Sequence, residues 1–214
     1  MGEKLLIYGA SGFGREVAWL VQTCRGTKEV ACFIDDDREK QGILLNEIPV
    51  LSLQQAHEQY PDGKVVAGIG DPKIRETLMI SAASSGFDFG VIIHPKVELS
   101  KWVEVGKGSI ICEGSILTIN IVIGEHVQIN LGSTIGHDVV MSDYVTLAPG
   151  VHISGCVNIG KRVYIGSGAV VINGTNENPI IIGDDAVIGA GACVINSVPS
   201  GCTVVGVPAK VVNQ

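Results

Sequence analysis

From Ile93 to Val171 every sixth residue is aliphatic or Met: Ile93, Leu99, Val105, Ile111, Leu117, Ile123, Ile129, Ile135, Met141, Leu147, Ile153, Ile159, Ile165 and Val171. Four places after each member, from Val97 to Ala169, stands only Val, Ile, Ser or Ala. A period of six matches neither an amphipathic helix nor an alternating strand. It matches a parallel β-helix in which each hexad is a short strand plus a corner, and three hexads close one triangular coil. The aliphatic residue then points inward and stacks on the one a full coil along. The small or β-branched residue fills the tighter interior near the corner. Gly106, Gly124, Gly136, Gly160, Gly166 and Asn130 follow the aliphatic position and read as suppliers of backbone angles that other residues resist. With strands about 4.8 Å apart, about six coils make a column on the order of 30 Å tall.

Before the hexads the pattern is different. Lys4–Tyr8, Val30–Ile34, Ile48–Val50, Lys64–Ile69 and Phe87–Ile92 read as strands, and Arg15–Cys24, Leu53–Gln59 and Lys73–Ser84 as helices. Alternating strands and helices predict a small parallel sheet. The change of pattern at His94-Pro95 divides the chain into a Rossmann-like α/β domain over residues 1–92 and a β-helix over 93–214. Within the β-helix, Asn173–Pro179 breaks the register. Ile182 comes eleven residues after Val171 where six would keep phase, so five residues are extra. They are expected to bulge from a corner as a polar loop. The phase resumes at Ile182, Ile188 and Val194, and Gly206–Val212 reads as an end piece over strand edges otherwise left open.

Composition removes several functional classes. The chain is 46% hydrophobic and 17% charged, which argues against disorder. Aromatics at 5% argue against a stacking platform for single-stranded nucleic acid, and a net charge of −7 disfavours binding to a phosphate backbone. The six cysteines form no C-x-x-C pair and read as reduced fillers of a cytoplasmic protein. No apolar run is long enough to span a membrane, and there is no secretory h-region.

Two stretches carry chemistry. Gly9 to Gly14 is a glycine loop between a strand and a helix, where backbone N–H groups meet an anion. Its spacing is G-x-x-G-x-G rather than the dinucleotide G-x-G-x-x-G; the bland alternative is a tight turn that binds nothing. Asp35 ends the second strand, where a ribose-binding acid sits, although Asp36 and Asp37 beside it equally suit a solvated turn. Gly70 follows the next parallel strand and could line the same crevice. The second stretch is Ile135-Gly136-His137-Asp138, at a corner of the column. A carboxylate beside an imidazole orients the ring and fixes its tautomer for general-base work; the alternative is a solvated surface histidine. His57, His94, His126 and His152 are isolated, and without a closely spaced histidine pair a metal site is disfavoured.

The hexads, the preceding Gly9-Ala10-Ser11-Gly12 with its small α/β domain, and the closing Gly206-Val207-Pro208-Ala209-Lys210 together resemble the PglD/NeuD-type acyltransferases over nearly the whole chain. The resemblance implies a left-handed coil, although parallel crossovers are ordinarily right-handed. It implies acetyl-CoA as co-substrate without a metal, a nucleotide-activated amino sugar as acceptor, and a homotrimer whose active site lies between neighbouring prisms. By the same resemblance His137 is the catalytic base and Asp138, commonly Glu in the family, the acid that polarises it. Ser11, Gly12, Phe13, Asp35, Asp36 and Gly70 match positions that hold the nucleotide-sugar. Gly155 matches a backbone position along the acetyl-CoA groove, with Thr146 and Ser167 nearby. Phe13 stands where many relatives have His, and Thr146 where the bacillosamine-pathway enzyme has a CoA-contacting His. The implied reaction is N-acetylation of a nucleotide-linked 4-amino-4,6-dideoxy sugar in bacterial glycan synthesis. O-acetylation of a sialic-acid-like hydroxyl is a second reading, and a non-catalytic nucleotide-sensing or scaffold trimer a third. A dinucleotide oxidoreductase is disfavoured, because about ninety α/β residues are too few for two mononucleotide-binding halves.

Overall fold

The structure, a computed structural model, describes residues 3–24 and 28–212. It forms two compact units that divide after His94. In the first, the strands are β1 (Glu3–Tyr8), β2 (Lys28–Ile34), β3 (Leu44–Leu45), β4 (Ile48–Leu51), β5 (Lys64–Ala67) and β6 (Asp88–Phe89). The helices are α1 (Gly12–Thr23), α2 (Leu53–Gln59) and α3 (Pro72–Ser84). The sheet order is β3-β4-β2-β1-β5-β6. All neighbours run parallel except the β3–β4 hairpin at the edge. Leu5, Leu6 and Ile7 of the central β1 are fully buried, as expected of a parallel strand covered on both faces.

Local chemistry explains the boundaries. Ser52 and Gln55 form a reciprocal capping box that starts α2. The Asp71 carboxylate accepts from the N–H groups of Lys73 and Ile74 at 2.9 Å, with Pro72 in the first turn of α3. α1 begins three residues before the Arg15 start read from the sequence, because the glycine loop itself forms the first turn: Arg15 N–H already donates to Ser11 O at 3.1 Å. The Phe87–Ile92 strand is split, since β6 ends at Phe89 and a separate strand covers Ile92–Ile93. Gly90 lies between them, and a Cβ there would come 2.7 Å from Cδ2 of Leu5. β4 matches the strand read at Ile48–Val50, and β3 is an addition that makes it a hairpin; the turn places Asn46 at φ 48° and Glu47 at φ 67°.

The second unit is a left-handed parallel β-helix. Leu117 pairs with Ile135, Ile135 with Ile153 and Ile153 with Val171, eighteen residues per step. Across the insertion the step becomes twenty-three, with Ile159 on Ile182 and Ile165 on Ile188. The difference is the five residues counted in the sequence. The hexad aliphatics from Ile111 to Val171 and their apolar companions from Ile121 to Ala169 fill one continuous core. Ser109, Ser115 and Ser133 share that interior without penalty, because each hydroxyl donates to a backbone carbonyl, Gly124 O or Asn130 O, at 3.0–3.1 Å. Thr203–Val205 pairs in parallel with the Val187–Ile188 strand and antiparallel with Lys210–Val211, so the chain reverses over the last coil.

The corners correct one expectation. Gly136 and the other glycines after the aliphatic position are absent from the left-handed backbone region. They are needed for space: a Cβ on Gly136 would come 2.7 Å from Gly155 N in the next coil. The left-handed residues come two places later and form ladders up the corners. One ladder is glycine throughout, with Gly114, Gly132, Gly150 and Gly168 at φ 66–75°. Another consists of Asn120, Asp138 and Cys156 at φ 53–56°, a conformation that Asn and Asp tolerate better than most side chains.

Candidate active site

The Asn120–Asp138–Cys156 ladder builds the site. Asp138 N–H donates to Ile119 O at 3.2 Å and Cys156 N–H to His137 O at 2.9 Å, so each rung is fixed by the coil beside it. With its backbone held, Asp138 turns Oδ2 onto His137 Nδ1 at 2.8 Å, while its Oδ1 accepts from Asn120 Nδ2 at 3.1 Å. Hydrogen bonding from His137, then from Asn120, holds the Asp138 carboxyl below the usual carboxylate range. A carboxylate only accepts, so this contact assigns the proton of the neutral ring to Nδ1 and leaves the Nε2 lone pair available. The imidazole is exposed, and Gly155 backs it: a Cβ on Gly155 would stand 2.5 Å from Cε1 and Nε2. An exposed imidazole, a carboxylate that orients it and a close backbone therefore meet at one corner.

The other histidines have different surroundings. His57 meets Phe87 edge-on at 5.2 Å, and the buried His126 stacks on Tyr144 at 5.0 Å. His152 Nδ1 lies 2.8 Å from Thr134 Oγ1, and His94 is buried. Among the described residues, His137, Asp138 and Cys156 bring a nitrogen, an oxygen and a sulfur within 4.8 Å of one another. The 2.8 Å His137–Asp138 separation is a hydrogen bond; ligand atoms sharing a tetrahedral zinc ion stand about 3.3 Å apart. The Cys156 thiol is also engaged, donating to Asn176 Oδ1 at 3.3 Å.

Of the residues matched to the acetyl-CoA groove, the structure brings Gly155 to His137. Thr146 is buried in a strand of a different sheet, paired with Gln128 and Tyr164. Ser167 is exposed at the glycine corner, beside Gly168. Sequence reasoning missed Asn120 and Cys156, yet both lie one eighteen-residue step from Asp138, so the period itself was the signal.

In the first unit the glycines divide into two groups. A Cβ on Gly14 would overlap the Gly9 carbonyl oxygen, and one on Gly68 would stand 2.7 Å from Gly14 Cα. Gly9, Gly14 and Gly68 thus let β1, α1 and the end of β5 touch. Gly12 and Gly70 face open space, leaving room beside the α1 N-terminus. Ser11 caps that helix with no side-chain cap bond, and Ser11 and Gly12 are exposed while Phe13 is half-buried. Asp35 Oδ2 accepts from Ala10 N–H at 3.0 Å and from Lys40 Nζ at 3.2 Å, and its Oδ1 from Asp37 N–H at 3.0 Å. Burial pushes the Asp35 carboxyl up, but these hydrogen bonds outweigh it and its pKa lies below the usual value. Asp36 accepts from the Tyr8 hydroxyl at 2.9 Å, and burial together with this bond raises the Tyr8 pKa. The fully buried Arg75, which carries no sequence signal, donates from Nη1 to Ile69 O and Gly70 O at 3.1 Å and fixes the Gly70 turn.

Residues 4–81 match the PglD N-terminal domain. The chain is 37% identical to a GDP-perosamine N-acetyltransferase of Escherichia coli O157:H7, over 97% of this chain and 96% of that one. WeeI from Acinetobacter baumannii AYE has a similar structure, with a TM-score of 0.90 and 38% identity over 98% of this chain and 100% of that one. So does a histidine-to-asparagine mutant of perosamine N-acetyltransferase from Caulobacter crescentus in complex with CoA and GDP-perosamine. Its TM-score is 0.89 at 28% identity, covering 100% of this chain and 98% of that one.

Proposed function

The chain belongs to the PglD-type sugar acetyltransferases, and from that premise we propose that it transfers the acetyl group of acetyl-CoA to the amine of a GDP-linked 4-amino-4,6-dideoxy sugar of the perosamine kind. The observation that carries the reading is the 2.8 Å His137–Asp138 contact on a corner backed by Gly155. The E. coli relative supports the choice of nucleotide and sugar by its name.

The amine nitrogen attacks the thioester carbonyl carbon. As the N–C bond forms, His137 Nε2 takes the amine proton, and Asp138 stabilises the imidazolium through Nδ1. A backbone N–H holds the oxyanion. The C–S bond then breaks, the imidazolium returns the proton to the leaving sulfur, and the products are an amide and free CoA thiol. No acyl-enzyme is required. Gly155 borders the donor side of the ring, and Ser167 and Thr146 remain assigned to the same groove by resemblance.

Residues 1–92 act as the nucleotide-sugar domain and 93–214 as the acetyltransferase domain. Open space at Gly12 and Gly70 supports a ligand at the glycine loop, with Ser11, Phe13, Asp35 and Asp36 around it. The working form is a homotrimer with active sites between prisms. An outward ladder of exposed Val122, Val140 and, past Asn158, Ile181 supports prism-to-prism association. Cytoplasmic location suits six free cysteines; among the described residues no helix is long and apolar enough to cross a membrane.

The test is thiol release from acetyl-CoA with GDP-, UDP- and dTDP-linked 4-amino sugars. Release with the GDP sugar and an alkali-stable N-acetyl product is expected. An ester product would replace this reading with O-acetylation, and no release with any acceptor would leave the scaffold reading.

A further inference from the structure

We propose that the five-residue excursion Thr175–Pro179 forms one wall of the acyl-donor channel, and that Cys156 and Asn176 are the positioning pair that holds it there. The inference rests on the reading of His137 as a base acting on acetyl-CoA. Gly174 stands one eighteen-residue step past Cys156, where the backbone is no longer left-handed. Its N–H donates to Gly155 O at 3.0 Å, repeating the rung below. The chain then leaves the column and returns at Ile180, whose N–H donates to Cys156 O at 3.1 Å and which pairs with Val157. Departure and return therefore occur at the catalytic corner, two coils or about 10 Å from Asp138.

The excursion is built rather than merely tolerated. Thr175 N–H donates to Asn178 O, and Asn178 N–H to Thr175 Oγ1, both at 3.0 Å. Asn176 is turned back onto the site, its Oδ1 accepting from the Cys156 thiol. That sulfur lies within 4.8 Å of ligand-type atoms of His137 and Asp138. The chemistry of the loop favours the donor arm. Thr175, Asn176 and Asn178 offer uncharged hydroxyl and amide groups, suited to the amide-bearing arm of CoA. Glu177 is the sole charge between Asn173 and Pro179, so nothing there draws phosphates.

Calorimetric titration of CoA, with steady-state KM for both substrates, tests the proposal. Asn176→Ala and Cys156→Ala should each weaken CoA affinity about three- to tenfold. The KM for the sugar nucleotide should stay unchanged. The double variant should be no worse than the poorer single, because the two share one contact. Cys156→Ser, which keeps a donor, should restore most of the affinity. Deleting Thr175–Pro179 joins Gly174 to Ile180 at the eighteen-residue step, so the column should stay folded while CoA affinity falls at least about tenfold. Unchanged CoA affinity across this series, or an effect confined to the sugar KM, overturns the proposal. Wild-type protein that binds CoA but transfers no acetyl group defeats the functional reading and leaves the affinity comparison valid; wild-type protein that binds no CoA defeats both.

Discussion

A single methyl group added at Gly155 isolates the placement of the His137 ring from the stability of the fold. The new Cβ would stand 2.5 Å from Cε1 and Nε2 and 2.9 Å from Cδ2. Carbon pairs settle at about 3.5–4.0 Å, so the ring must retreat by about 1 Å. It retreats into solvent, because the His137 side chain is 58% exposed. Gly155 is outside the left-handed region, so alanine adopts its backbone. The fold therefore loses under about 1 kcal/mol, a fall in Tm of under about 4 °C for a chain of this size. The chemistry loses more. A reacting group misplaced by about 1 Å costs about 10² in rate, or about 2.7 kcal/mol of barrier. Initial rates of thiol release at saturating substrates, with a thermal melt of the same sample, measure both quantities. Full kcat in Gly155→Ala would refute the reasoning, because the base would then work without the place the structure gives it.

Three further outcomes follow from the same geometry. His137→Ala should lose about 10²–10⁴ in kcat with a nearly unchanged melt, and Asp138→Ala should lose less because it acts through the ring; kcat and Tm of the two variants check this. Gly12→Ala should raise the sugar-nucleotide KM without lowering Tm, since its Cβ meets no protein atom, whereas Gly14→Ala should destabilise by about 1–3 kcal/mol through overlap with Gly9. Asp35 has a depressed pKa, so its contribution to stability is present above the unfolded value of about 3.9 and is lost as pH falls through the folded value. Asp35→Asn should therefore melt lower than wild type at pH 7, and the gap should close below about pH 4; a gap that persists in acid would contradict the ionic role of Asp35.

Much of the column was legible because its rule is arithmetic. An inward residue must find its partner one coil on, so Ile129 over Ile111 and the late arrival of Ile182 are both readable by counting. The left-handed corners were not legible at Tyr144 or Arg162, because stacking of coils rather than residue preference sets φ there. β4 was legible at Ile48–Val50, whereas its hairpin partner β3, the two residues Leu44–Leu45, is too short to leave a pattern. At the site, adjacency exposed His137 and Asp138. Asn120 and Cys156 required the eighteen-residue step to be applied to polar corners as well as to the core. Arg75 and Lys40 left no trace, since their roles depend on carbonyls and carboxylates that only the folded chain brings near.

The interruption at residue 174 has a consequence for how such proteins diversify. Since the strand after it resumes the same stacking, heights along the column come in units of one coil, about 4.8 Å. A lineage can lengthen or trim an overhang at that corner while every later storey keeps its side-chain neighbours. A change confined to that overhang leaves the Asn120–Asp138–His137 contacts two coils below in place.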